Sequence, residues 1–390
     1  MNCPPLVNNS VEKACFFRVI INPKREKAQA RLLDQELLKS LIQSIETGSL
    51  GLTQLDDTLR SLVCELQKIL PLNISQPSGE LGKSYPVDEE GYARSYCPLT
   101  QPDEFMSVWQ HYGIVVGKQI LGPLDCRKVL ERIHGLLGLL DKGTRCDLQG
   151  VPVISRGFFE IYHDTSLANI RQSLRFYLHH VLIWQRADLW CSFDRFGIKP
   201  PEGESAAGLP LHVDQNPLVH PEFRTTQGVL ALVDCPIERG TFMAVPGSRA
   251  HFPIYADMAK NRGEYVELDL SHPAAPDLCQ TMQPLALRAG DLVTWDSRTT
   301  HGNTPNISNQ TRYVAYVSAG PARPNDNEAV KARQDAFANG LGSNVRDALM
   351  HASKKPRFTD PDLIAKLREK EQLNLLGRYL YGQESYPPSA

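Results

Sequence analysis

The chain has 390 residues, a formal net charge of −2, and 42% hydrophobic against 22% charged residues. That balance fits a soluble chain with a sizeable core, and it supplies no global field for nucleic acid or an anionic membrane. No run of 18 apolar residues occurs, which excludes a membrane-spanning helix, and nine scattered cysteines without C-x-x-C indicate neither a disulfide framework nor a zinc ribbon. The opening residues lack a basic segment followed by a long apolar run, so a reduced, cytoplasmic setting is the expectation.

Residues 1–95 read as a helical extension with a linker. Leucines and isoleucines recur at helical spacing over Arg25–Thr47 and again over Thr53–Leu70. Residues 71–100 are rich in Pro, Gly, Ser and Tyr, as a lead-in would be. A third helix is expected to end at Tyr112, followed by a short buried strand over Gly113–Ile120. Helices over Leu124–Leu140 and Leu167–His180 come next. From about Leu182 to Ser318 the pattern turns to short β-rich runs: LWCSF, PLHVD, GVLALVD, TFMAV, PLALRAG, DLVTWD and RYVAYVSA. Strands at this spacing argue for a sandwich or barrel. Helices return over Asn327–Asn339 and Asp360–Arg378. The division expected is 1–95, a β-domain with packing helices over 96–325, and a C-terminal helical segment over 326–390.

In the run Leu211-His212-Val213-Asp214, residues two apart on a strand share a face, so His212 and Asp214 would both enter a barrel interior. H-x-D alone is a weak signal. It gains weight from Gly290-Asp-Leu-Val-Thr-Trp-Asp-Ser, which leads by turn and strand to His301. His212, Asp214 and His301 make a two-His, one-carboxylate set, which suits Fe(II) with open positions on one face. Arg312 enters the following strand. A buried Arg is costly unless it meets an anion, and its planar fork takes a carboxylate bidentately. A structural ion pair remains the alternative reading of Arg312. An open iron face with a nearby Arg fits a cosubstrate with a chelating end and a distal carboxylate, the shape of 2-oxoglutarate. Gln227 enters an apolar strand and needs a buried partner, which makes it a candidate for the pocket lining. Trp190, Phe193, Arg195 and Lys199 read either as a pocket wall with a basic edge or as a core strand with solvated charges. Gln215 and Asn216 read as a turn in preference to a substrate contact, and His179 and His180 as structural or solvated.

The segment from His212 to Arg312 resembles the phytanoyl-CoA dioxygenase-like family of iron(II)/2-oxoglutarate oxygenases. The motifs that carry the likeness are the H-x-D, the His301-Gly302 pair, Arg312 eleven residues on, Asn306 between them, and Gly240-Thr-Phe-Met-Ala-Val-Pro-Gly-Ser. The resemblance covers about residues 101–325. It implies a double-stranded β-helix (jelly roll, cupin-like), a mainly β core within an α+β chain, with flanking helices and a helical N-terminal extension. It also implies iron on His212, Asp214 and His301, with the 2-oxoglutarate C5 carboxylate on Arg312. Where the family often has Ser two residues after the distal His, this chain has Asn303, the candidate cosubstrate contact there. Arg249 replaces the His that usually follows P-G-S. Related halogenases carry Ala or Gly where Asp214 stands, so C–H oxidation is favoured over halogenation.

The expected function is therefore an Fe(II)/2-oxoglutarate-dependent dioxygenase. It would use O2 to hydroxylate or otherwise oxidise an unactivated C–H bond while 2-oxoglutarate goes to succinate and CO2. The expected substrate is a small molecule, an amino acid or a natural-product intermediate, with no nucleic-acid or membrane partner. The alternatives are a cupin-like metalloenzyme that does not use 2-oxoglutarate and a non-catalytic small-molecule-binding relative. The sequence leaves the oligomeric state open.

Overall fold

The computed structural model describes residues 35–48, 50–69, 81–140, 157–203, 206–259, 263, 265–343, 352–354 and 368–388. In chain order the main strands are β1 (Ile114–Gly117), β2 (Phe158–Phe159), β3 (Leu189–Cys191), β4 (Phe196–Lys199), β5 (Leu209–Val213), β6 (Thr226–Ala231), β7 (Phe242–Ala244), β8 (Val266–Glu267), β9 (Gln283–Leu285), β10 (Leu292–Asp296), β11 (His301–Asn303), β12 (Arg312–Tyr316) and β13 (Ala319–Pro321). They pair antiparallel into a six-stranded sheet, β1-β10-β6-β12-β4-β2, and a five-stranded sheet, β8-β5-β11-β7-β9; β13 and β3 form a separate ribbon. The two larger sheets face each other as the expected jelly roll.

Strand alternation sorts each side chain to one face. On β10, Leu292 joins the helical layer while Val293 and Trp295 face the opposite sheet. On β12, Tyr313 and Ala315 face the helices, and Val314 and Tyr316 face inward. Arg312 has the parity of Val314, so it belongs to the inner face. Arg312 also pairs in register with Lys199 of β4, which places that lysine on the same face. The inner space between the sheets thus receives apolar residues at one end and cationic ones at the other.

Helices cover the outer face of the six-stranded sheet. Pro102–Tyr112 and Pro123–Leu140 match the helical periodicity closely. The helix expected over Leu167–His180 is instead two, Thr165–Arg171 and Leu174–Trp184. Ser173 starts the second by accepting from Phe176 N, a local side-chain cap that overrides a continuous apolar stripe. His179 and His180 lie fully buried on this second helix, and His179 Nε2 meets Thr294 Oγ1 of β10 at 2.8 Å. Both are packing residues.

The extension helices Gln35–Glu46 and Leu52–Ile69 are present, the second burying Leu59, Leu62, Val63 and Leu66. Asn327–Asn339 matches its expected bounds. Residues 368–374 are non-helical and the last helix is Leu375–Tyr381, capped by the Asn374 side chain on Gly377 N. Within the described part of the helix expected over Asp360–Arg378, helix is present from Leu375 onward; residues 360–367 lie outside the described residues.

The last helix is keyed into the core by polar contacts. Arg171 and Arg333 are fully buried. Arg171 donates to Tyr162 O, Asp194 O and Tyr381 Oη, and Arg333 to Cys191 O and Leu380 O. Asp56 of the extension accepts from Leu375 N and Arg378. Among the described residues, no helix is long and apolar enough to cross a membrane.

One buried acid marks the turn into β10. Asp291 is 2% exposed and accepts from Gln119 N at 2.8 Å. Burial pushes its carboxyl up from 3.8 to about 6, against the Gln119 N–H, Ser95, Arg288 and Lys118, which all favour the charged form. The folded state therefore holds this proton more tightly than the unfolded chain. The stability it contributes is complete below about pH 4 and lost as pH rises through about 6, about 3 kcal/mol in all. Asp291→Asn keeps an acceptor for Gln119 and removes the ionisation. Thermal unfolding of the variant at pH 7 is expected several degrees higher than wild type, with a flatter pH dependence between about 4 and 6. An unchanged slope would refute this origin.

Candidate active site

His212 and His301 are direct partners across the β5–β11 pairing, with ring centroids 4.3 Å apart. Gly302, next to His301, allows this close approach: a Cβ there would lie 2.4 Å from Leu209 O. His212 Nδ1 lies 2.8 Å from Pro210 O, and His301 Nδ1 lies 2.9 Å from Thr299 O. Each carbonyl fixes its ring with the proton on Nδ1 and turns Nε2 to the interior. Both Nε2 atoms face Asp214 Oδ2, at 3.8 and 3.5 Å. The three ligand atoms lie within 4.8 Å of one another.

Burial alone would raise the Asp214 carboxyl, but the flanking His301 and His212 rings and the Gln227 amide hold it well below the usual carboxylate range. Gln227 Nε2 donates to Asp214 Oδ2 at 2.7 Å, which supplies the buried partner that its strand position demands. Two imidazoles oriented through carbonyls and a carboxylate oriented through an amide are the usual supports of a metal ligand set. These residues fit a divalent metal. Gln227→Leu keeps the bulk and removes that donor. It is expected to weaken iron(II) affinity roughly 10–100-fold in a metal titration; wild-type affinity would refute the support role.

Aromatic rings enclose the set. Tyr265 stacks on His212 at 4.7 Å, and Trp295 lies 4.9 Å from His301. Sequence reasoning missed both. Trp295 was legible by its parity on β10, whereas Tyr265 precedes a two-residue strand with no pattern of its own.

At the other end of the inner face lie Arg312 and Lys199, 4% and 6% exposed. Neither has a carboxylate within 4 Å among the described residues. Arg312 Nε and Trp295 Nε1 are buried with no acceptor. Lys199 Nζ donates to Ala207 O and Thr304 O, both at 2.9 Å, and to Asn303 Oδ1. Asn303 Oδ1 also accepts from Leu209 N. Among the described residues the structural ion pair considered for Arg312 is not formed, and the basic edge considered for Lys199 is an interior position.

The other candidates are structural. Trp190 and Phe193 belong to the helical core, and Arg195 pairs with Glu160 at 3.1 Å. Gln215 donates to His220 O and Glu222 O and accepts from Ser297, bracing the loop after Asp214. Asn216 accepts from Leu218 N in the expected turn. Arg249 turns away from the interior, donating to Trp109 O and Gln110 O at a helix end, with Asp296 at 3.6 Å.

Residues 163–314 match the family model described as "Phytanoyl-CoA dioxygenase (PhyH)". "Ava biosynthesis cluster protein O" of Aspergillus versicolor is 26% identical over 206 residues, 49% of this chain and 67% of that protein. The crystal structure of hypothetical protein JW0805 from Escherichia coli is 16% identical, covers 96% of this chain and 97% of its own, and has a TM-score of 0.55, so the fold is shared along nearly the whole length. The epimerase SnoN, solved with Fe3+, alpha ketoglutarate and nogalamycin RO, is 18% identical over 66% of this chain and 97% of its own, with a TM-score of 0.45.

Proposed function

We propose that this phytanoyl-CoA dioxygenase-like chain is an iron(II)/2-oxoglutarate-dependent oxygenase that hydroxylates a small-molecule metabolite. The observation that carries the reading is the convergence of His212 Nε2, His301 Nε2 and Asp214 Oδ2, each held by its own buried partner. The family match over residues 163–314 supports an oxygenase-type enzyme.

His212, Asp214 and His301 would hold the metal. Bound together, iron(II) and 2-oxoglutarate supply oxidation of an unactivated C–H bond with O2, giving succinate and CO2. The chain's own residues do the positioning. Gln227 keeps the Asp214 carboxylate turned to the imidazoles. Pro210 O and Thr299 O keep both rings in one tautomer. Arg312, a buried guanidinium with no acidic partner among the described residues, takes the distal carboxylate of the cosubstrate. Trp295, Phe242 and Tyr265 keep bulk water from the imidazole faces. The name of the Aspergillus relative supports a natural-product intermediate as substrate over a free amino acid.

The test is anaerobic absorbance of the protein titrated with iron(II) and then with 2-oxoglutarate. A visible charge-transfer band that needs both additions is expected. Iron binding without the band would favour a cupin-like metalloenzyme. Absence of iron binding would leave a small-molecule-binding relative.

A further inference from the structure

Lys199 is not explained by the metal set or by an ion pair. It is nearly buried, it sits beside Arg312 in register on the inner face, and neither cation has a carboxylate within 4 Å among the described residues. A clamp on three neutral oxygens does not need a full charge, and placing an ammonium beside a guanidinium away from water is costly. The backbone nonetheless makes room for it. Gly240 has φ +78°, and a Cβ there would stand 2.6 Å from Lys199 Cδ.

We propose that Lys199 is the second cation of a two-cation seat for the distal carboxylate of the cosubstrate, and that it acts through its charge and through Asn303 rather than by touching the carboxylate. The proposal rests on the 2-oxoglutarate reading above. The three Nζ hydrogens are all committed, to Ala207 O, Thr304 O and Asn303 Oδ1. Lys199 is therefore a positioning residue. Asn303 Oδ1 takes two donors, Lys199 and Leu209 N, which fixes the orientation of the amide and leaves its Nδ2 edge as the donor edge. Asn303 stands two residues beyond His301, on the strand between the metal set and the two cations. An anion reaching from that set to Arg312 would meet an amide donor already oriented by the lysine.

The charge on Lys199 depends on its surroundings. Among the described residues, the charged group facing it is Arg312 of β12. The other neighbours, Ala207, Asn303, Thr304, Gly240 and Asn306, present neutral groups, and the Cys235 thiol contacts Arg312. Burial and then Arg312 lower the ammonium from 10.5 to about 7. An arriving carboxylate favours the protonated form, so binding takes up a proton, and affinity falls as pH rises through about 7.

The test titrates the iron(II)-loaded protein anaerobically with 2-oxoglutarate between about pH 6 and 8.5, a window that brackets the lysine. Lys199→Met is expected to weaken binding roughly tenfold or more and to flatten the pH dependence, with iron affinity unchanged. Lys199→Arg should retain most of the affinity. Asn303→Asp keeps the lysine and its contacts but neutralises it from within, so it too should weaken binding roughly tenfold, and it decides the matter if the methionine variant does not fold. Wild-type affinity and pH slope in folded Lys199→Met, or wild-type affinity in Asn303→Asp, would overturn the proposal while leaving the cosubstrate reading intact. No 2-oxoglutarate binding by the wild type would overturn both.

Discussion

Asp214→Ala is expected to lose both iron retention and succinate production. Asp214 is the one carboxylate in the set, and its Oδ2 is the atom both Nε2 nitrogens face. Removing it leaves two neutral imidazoles in a buried site and strips Gln227 of its acceptor. Losing a supporting residue costs roughly 10–100-fold in metal affinity, so losing the ligand should exceed a hundredfold. Metal content after anaerobic loading and desalting, alongside succinate release, checks this. The fold should survive, because Asp214 contributes to the interior rather than to a strand pairing or an apolar cluster. A variant that retained stoichiometric iron and wild-type turnover would remove the metal assignment.

Arg312→Met should show two effects of opposite sign. Truncating one side of a buried charge pair typically costs about 2–5 kcal/mol, so 2-oxoglutarate should bind roughly 30-fold to a few thousandfold more weakly. Stability of the protein without cosubstrate should stay level or rise. Arg312 is 4% exposed, its Nε has no acceptor, and its register neighbour Lys199 repels it. Removing an uncompensated buried charge relieves strain that a paired one would not. Calorimetry with and without 2-oxoglutarate separates the two effects. A large fall in the unliganded melting temperature would mean that Arg312 is structural after all.

The parts legible in the sequence were those carried by strict periodicity or by invariant chemistry of spacing. His212 and Asp214 had to share a strand face, and the run through Asp291 and Trp295 had to deliver His301 from a strand end. The structure brings those three side chains together. Arg312 was legible as a cation inside an apolar strand. Lys199 followed the same alternation, Phe196 and Ile198 outward and Gly197 and Lys199 inward. It stayed ambiguous because a four-residue strand with two small or charged members has too weak a pattern to assign a face. The break at Gln172-Ser173 was hidden because Leu167, Ile170, Leu174 and Leu178 are all buried whether the helix is continuous or not. Strands β2 and β8, two residues each, exist only through their partners, so no local signal could have announced them.

The clasp made by residues 375–386 carries a consequence for biosynthesis. Arg171 and Arg333 are made well before Leu380 and Tyr381, the groups that complete their hydrogen bonding, and Tyr386 closes on Leu189 O. While those later residues are still inside the ribosome, two guanidiniums must stay hydrated where the finished protein is dry. The helical layer behind β3 and β4 cannot seal until they emerge. The nascent jelly roll thus waits, with its strands already synthesised, for a segment that belongs to neither sheet. Sealing of the helical layer is a late event of translation rather than an early one.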